Sequence, residues 1–404
     1  NPNVTIISTS NELIDHACGG PGSEYFEVAY EVPGYGKVVE AYVSRVRNGV
    51  SANYTTPYMR RRDPDAIIIG DDKPTDKLTF KEKYGYDFSI MRHKTFEWLK
   101  KQPLILYGFT AGKPGMGMDA LVIAPSNAGF FAFGLALLQG IIAYKDIPDT
   151  FNPECVIYVA PTFRYTDFDG RQVVVHNRQD KLHEIFSYNL YPGPSAKKSI
   201  YGALIEKGEK EGWVTAHCSA VQVVEPYDNI ITIMHEGASG AGKSEMLELP
   251  HREPDGRLLL GKNIITHEER YQEIPRTCEL YPVTDDMALC HPSIQEYPGK
   301  LCLTDAEDAW FVRTNHIDTY GMDVSFERLT ANPPEPLLFL NIDAAPGSRA
   351  LVWEHIQDGP GKPCSNPRVT IPRRVIHNVK DGPVPVHIRS FGVRTPPCTR
   401  EKPS

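Results

Sequence analysis

Ile230-Ile231-Thr232-Ile233-Met234-His235-Glu236-Gly237-Ala238-Ser239-Gly240-Ala241-Gly242-Lys243-Ser244 is the stretch on which the fold turns. Its last eight residues fit G-x-x-x-x-G-K-[ST], a loop whose backbone N–H groups wrap phosphate oxygens. Gly237, Ser239, Gly240, Ala241 and Gly242 would supply that cradle, Lys243 would reach the outer phosphates, and the Ser244 hydroxyl would ligate a metal. The β-branched run Ile230–Met234 predicts a buried strand entering the loop. Glu245 to Leu249 are good helix formers up to the stop at Pro250. Strand, glycine loop and helix N-terminus together aim N–H groups and the helix dipole at an anion. The expected fold class is therefore α/β.

The rest of the chain narrows the class. Its 404 residues are enough for two or three domains with a real core. A composition of 41% hydrophobic and 23% charged residues is that of an ordinary globular protein. The net charge of -8 leaves no electrostatic footprint for nucleic acid, and Arg60-Arg61-Arg62 is a local cluster only. The 34 prolines and 32 glycines predict many turns and few long helices. None of the eight cysteines forms a CxxC, which argues against a zinc ribbon or a disulfide framework, and Cys290, His291 and Cys302 are a disfavoured set of metal ligands. No signal-peptide pattern opens the chain, and the apolar stretch 129–144 is too short for a membrane span and predicts a buried helix. A cytoplasmic, reducing location and no membrane partner follow as expectations. A start at Asn1 and a proline-rich end at Ser404 are expected of a piece of a longer polypeptide.

Strand patterns recur at Phe26–Tyr30, Val38–Val43, Ala66–Gly70, Leu104–Phe109 and Cys155–Ala160. Residues 79–102 are charged and partly helical, with Phe96, Trp98 and Leu99 at helix-like spacing. Beyond residue 195 comes a helix pattern with Lys197-Lys198 near its start, then a strand pattern at Val214–Val221 that contains His217. Glu279 to Asp286 ends in paired carboxylates, and Leu337–Asp343 reads as a buried strand ending in an acid. The expected division is an N-terminal mixed α/β domain at 1–212, on the substrate side, and a P-loop nucleotide-binding domain at 213–404.

A phosphate loop binds without naming a reaction. Proteins of this kind normally add a metal-directing carboxylate at the end of another strand, and Asp285 and Asp286 are placed for it, although a surface turn would also suit them. Taken one at a time, His217 fits a hydrogen-bonded core histidine, Lys198 a solvated helix face, and Arg368, in Asn366-Pro367-Arg368-Val369-Thr370-Ile371-Pro372, an edge strand bounded by prolines.

Taken in order, these patches resemble the ATP-type phosphoenolpyruvate carboxykinases. Lys-Lys, then His217 of His-Cys-Ser-Ala, then a strand and the glycine loop, follows that family's order. Asn366 to Asn378, Asn-x-Arg-Val-x-x-Pro-x-x-x-Ile-x-Asn, is similar to its γ-phosphate arginine segment, and Arg62-Asp63-Pro64 to its Arg-Ser-Pro substrate loop. The resemblance implies a two-lobed fold with a P-loop lobe on a mixed sheet and the active site in the cleft between lobes. It implies that Lys198 and His217 ligate a Mn²⁺-like ion, which requires a neutral lysine amine. Asp286, with Asp285, would complete that site. Ser244 would hold the nucleotide-associated Mg²⁺ and Lys243 the β/γ-phosphates of ATP. Arg368 would neutralise the transferring phosphoryl group, and Arg62 would clamp a small carboxylate substrate. The implied reaction decarboxylates oxaloacetate to an enolate that attacks the γ-phosphate.

The family's acid pair follows its loop lysine more closely than Asp286 follows Lys243. Either an insertion at 250–280 displaces it, or Gly256–Gly261 is the equivalent strand and Lys262 and Asn263 stand where acids belong. The loop followed by Asp-Asp-Met-Ala is also similar to HPr kinase/phosphorylase, which keeps open a kinase for a small hydroxy compound or a protein serine. Binding of nucleotide without turnover is the third expectation, because the family continues well past its arginine into adenine-contacting segments.

Overall fold

Gly129 to Gln139 form a helix in which every residue is buried, and the first of two compact units is built around it. Gly140, at φ 78°, ends it. In the computed structural model, residues 3–237, 243, 247, 253, 255–275 and 278–386 are described. The first unit takes Asn1–Lys210 and Glu307–Ile376, and the second takes Glu211–Ala306 and the chain from His377 onward. The first crossover falls beside the boundary expected at residue 212. The segment Glu307–Ile376, and Arg368 with it, belongs to the first unit.

In chain order the strands are β1 (Val4–Ile6), β2 (Tyr25–Val32), β3 (Gly36–Val46), β4 (Gly49–Tyr54), β5 (Ile67–Ile69), β6 (Leu104–Ala111), β7 (Met118–Pro125), β8 (Cys155–Val159), β9 (Val174–Arg178) and β10 (His183–Ser187). The second unit adds β11 (Val214–Ala216), β12 (Cys218–Val224), β13 (Ile230–Glu236), β14 (Leu258–Lys262), β15 (Glu269–Gln272), β16 (Glu279–Thr284), β17 (Ala288–Cys290) and β18 (Leu301–Asp305). Back in the first unit come β19 (Ala309–Arg313), β20 (Leu337–Leu340), β21 (Gln357–Gly359), β22 (Lys362–Pro363) and β23 (Arg368–Pro372), and β24 (Val384–Val386) closes the series in the second.

Two mixed sheets sandwich the buried helix. One runs β1-β6-β7-β8-β10-β9-β5, the other β19-β23-β20-β4-β3-β2. The helix packs on β6 and β7 of the first and on β19, β20 and β23 of the second, so an apolar face all round is what its position requires. The strands expected near 26–30, 38–43, 66–70, 104–109, 155–160 and 337–343 all form. β23 corrects the edge-strand reading of Arg368, since it pairs with β19 on one side and β20 on the other. Pro372 is tolerated because it ends the strand, where a missing N–H costs no ladder bond.

The parallel pairing of β4 with β20 rests on Gly49. Its φ is 145°, and a Cβ there would lie 1.9 Å from the Leu337 carbonyl oxygen. A buried ion pair secures β3. Arg164 donates from Nε and Nη2 to the two Glu40 carboxylate oxygens at 3.1 and 3.0 Å, with the side chains 4% and 1% exposed.

The second unit is antiparallel throughout its described sheets, β13-β12-β16 and β11-β17-β18-β24, with β14 and β15 forming a separate hairpin. Its core is made largely of small side chains, among them Ala216, Cys218, Ala220, Val283 and Ala288. Here the expectation of a buried strand at Ile230–Met234 is overturned: β13 is an edge, and Ile230 is 61% exposed. β-branched residues favour the extended backbone whether or not they are covered, so composition alone could not tell edge from centre. The expected helix after the loop lies outside the described residues apart from Leu247, which is buried. Among the described residues, no helix is long and apolar enough to cross a membrane.

Candidate functional site

In the second unit, register brings strand ends together. Ala220 pairs with Thr284, so the start of β12 meets the end of β16. Cys218 pairs with Glu236, so the end of β13 arrives at the same place. His217 interrupts the expected strand at 214–221, lying between β11 and β12, and its carbonyl accepts the Gly237 N–H at 3.3 Å. Asp285 and Asp286 follow directly on β16.

One carboxylate oxygen organises what results. Asp286 Oδ1 lies 2.8 Å from His217 Nε2 and 3.3 Å from Lys243 Nζ, and the same ammonium donates to the Gly237 carbonyl at 3.0 Å. His217 and Asp286 are only slightly exposed, and Lys243 and Asp285 are buried, so these charges interact with little screening by water. The 256–263 segment forms the exposed β14–β15 hairpin, while Asp286 stands against the loop lysine. Ser239, Gly240, Ala241, Gly242 and Ser244 lie outside the described residues. Among the described residues, no set of three or more His, Cys, Asp and Glu side chains is gathered as for a metal.

Arg62, Lys198 and Arg368 belong to the first unit. Asn366 ties their segments together. Its Nδ2 donates to the Arg60 carbonyl at 3.0 Å and to the Tyr191 hydroxyl at 2.8 Å, and its Oδ1 accepts from Arg368 Nε at 2.9 Å. Arg368 also donates to the Phe311 carbonyl at 3.1 Å and stacks over that ring. In the basic loop, Arg60 and Arg61 both pair with Asp358, at 3.1 and 2.7 Å. Burial by itself would raise that carboxyl, but the hydrogen bonds from Arg61 and Arg60 outweigh it and hold the group below its ordinary range. Arg62 is exposed and, among the described residues, pairs with none of them. A free guanidinium beside two spent ones is what a carboxylate clamp needs.

The lysine pair is not a solvated helix face. Gly193–Lys198 is a π-helical turn leading into the helix Ser199–Glu211, an irregularity frequent at functional sites. Lys197 is buried against Glu307 at 2.5 Å, and Lys198 is half-buried with its ammonium 5.6 Å from the Tyr201 ring centre. A buried relay holds the turn. Ser199 Oγ donates to the Pro194 carbonyl at 2.7 Å and lies 3.1 Å from His176 Nε2, His176 Nδ1 is 2.9 Å from His183 Nε2, and His183 lies 2.6 Å from Glu206. No local pattern marks Tyr191, Glu307 or the histidine pair as functional. Asn366 carries a sequence signal, standing two residues before Arg368 in Asn366-Pro367-Arg368-Val369.

The relay has a pH signature. Burial first, and the neighbouring His183 second, push the His176 pKa well below 6.5. A proton that the folded state refuses and the unfolded state accepts makes stability fall as pH drops through the unfolded value. Urea titrations from pH 7.5 to 5 are therefore expected to lose stability below about pH 6.5, by no more than about 1.4 kcal/mol per pH unit. His176→Gln should flatten that slope, and an unchanged slope would remove His176 as its cause.

The fold and site define a mixed α/β protein in which Lys243 is held on a carboxylate, Asp286, that also meets His217. The chain belongs to the family described as a domain of unknown function, DUF4914, whose profile matches residues 1–404. No curated protein matches it.

Proposed function

We propose that this protein is an ATP- and divalent-metal-dependent phosphotransferase with a nucleotide site at the Gly237–Ser244 loop, related to the phosphoenolpyruvate carboxykinases. The reading is carried by one observation: Asp286 Oδ1 lies 3.3 Å from Lys243, to which the resemblance gives the β/γ-phosphates, and 2.8 Å from His217, to which it gives the Mn²⁺-like ion. His217 and Asp286 offer one nitrogen and one carboxylate, the small protein share that Mg²⁺ or Mn²⁺ takes when nucleotide phosphates fill the rest of its shell. Bound there, the metal would neutralise charge on the outer phosphates.

The chain's own groups have distinct tasks in this reading. Lys243 exchanges Asp286 and the Gly237 carbonyl for the β/γ-phosphates, while His217 keeps Asp286 oriented. Arg368, fixed at Nε by Asn366, offers its remaining N–H groups to the phosphoryl being transferred. Arg62 binds a substrate carboxylate in the fork geometry that lysine lacks. Lys198, if it ligates Mn²⁺, must first release its proton.

The deciding assay incubates the protein with oxaloacetate, ATP and Mn²⁺ or Mg²⁺ and follows phosphoenolpyruvate. Product that vanishes in Arg62→Ala and Lys198→Ala is expected. If ATP binds yet oxaloacetate is ignored, the carboxykinase chemistry is wrong and a kinase of a hydroxy compound or protein serine takes its place. Binding with no phosphoryl transfer to any acceptor leaves a nucleotide-binding protein without turnover.

A further inference from the structure

An open groove of about 690 Å³ lies in the first unit, over β2, β3 and β4 and the segment after β20. Tyr25 and Tyr42 form one wall. Their rings stack at 6.1 Å and 18° and remain 48% and 42% exposed. Asp343, the acid that ends the strand pattern at 337–343, also lines the groove, on a backbone pinned by its N–H to the Glu354 carbonyl at 2.6 Å. Its carboxylate is exposed and, among the described residues, has no hydrogen-bond or ion-pair partner. Ser44, Asn53 and Gln357 add neutral donors and acceptors, and Asn53 Oδ1 is buried without a hydrogen bond.

The chemistry of this wall selects its ligand. Arg60 is its one permanent cation, and it is spent on the Tyr54 and Gln357 carbonyls and on Asp358. Burial pushes the His355 pKa down, so that ring stays neutral at pH 7. Phosphates and carboxylates therefore find no free positive charge. An amine would find a single exposed carboxylate, which gives an ion pair of about 1 kcal/mol at most. What the groove has in excess is flat aromatic surface beside directional neutral groups. A sugar ring matches both, with an apolar C–H face for the tyrosines and adjacent hydroxyls that can donate together to one carboxylate. The volume is in the range of small-molecule sites. We propose that this groove binds a neutral saccharide, stacked on Tyr25 and Tyr42 and hydrogen-bonded to Asp343.

A glycan array of neutral mono- and oligosaccharides probed with the full-length chain, followed by calorimetry on the strongest hit, tests this. Spermidine and ATP serve as the cationic and anionic comparisons. Tyr42→Ala and Asp343→Asn should each weaken saccharide binding by about tenfold or more, the worth of one stacking or charge-assisted contact. Because both side chains are exposed, circular dichroism and the thermal midpoint should not move. An array without a hit overturns the proposal, as does saccharide binding that both variants leave intact. Spermidine binding lost in Asp343→Asn, with no saccharide bound, would show an amine site instead.

Discussion

Lys243→Ala is expected to weaken ATP binding by about a hundredfold, because two charge-assisted hydrogen bonds to outer phosphates are worth about 3 kcal/mol together. The loss should grade with phosphate count, large for ATP, smaller for ADP and near zero for AMP, since the lysine of such a loop reaches only the outer groups. Calorimetry with the three nucleotides measures this directly. Asp286→Asn should behave differently. It removes the charge that Lys243 and His217 share at 3.3 and 2.8 Å, so metal-free ATP should bind at least as well as to the parent. What should disappear is the gain in affinity on adding Mg²⁺ or Mn²⁺. Equal ATP affinity in the parent and in Lys243→Ala would remove the nucleotide site from the loop and end the phosphotransferase reading.

Breaking the Arg164–Glu40 pair should produce the largest loss of stability in the first unit. Both side chains are almost wholly buried and meet through two parallel hydrogen bonds, and Arg164 also donates to the Gly170 carbonyl at 2.5 Å. Removing one partner leaves the other charge buried and uncompensated, at a cost of about 3–5 kcal/mol. Arg164→Met alone should therefore shift the urea midpoint strongly downward. The double change Arg164→Met with Glu40→Leu should recover most of it, since neither charge then needs desolvation. If the single and double variants unfold alike, the penalty comes from lost packing and not from the orphaned carboxylate. Glu40→Gln separates these further by keeping shape while removing charge.

Much of this architecture is legible in the residues, unevenly. Leu337–Leu340 is apolar on both faces and sits in the middle of a sheet, as such a run should. The helix 129–139 announces itself by lacking any polar stripe. Ile230–Met234 has the same local character and lies on an edge, because neighbours that cover a strand come from elsewhere in the chain. The loop motif and its lysine are legible from spacing alone, whereas the contact of Asp286 with Lys243 depends on the pairing of β16 with β12, which spacing does not encode. The burial of Lys197 has no local signature, because its partner, Glu307, comes back from far along the chain. Asn366 is a further case: its hydrogen bonds join Arg60, Tyr191 and Arg368, and no local pattern encodes such a junction.

The pairing of β4 with β20 has a consequence for how the protein is made. Gly49–Ala52 finds its partner only at Leu337–Leu340, and β23 then completes the same sheet from Arg368 onward. On the ribosome, the N-terminal strands β2, β3 and β4 must wait with one margin unpaired while Glu211–Ala306, the larger part of the second unit, is synthesised. Closing so long a loop is slow, and an open strand margin is where nascent chains associate wrongly. The interval between translating residue 54 and residue 340 is thus the window in which this chain most depends on chaperones, and a shortened chain ending before β20 should aggregate even though its first two hundred residues are intact.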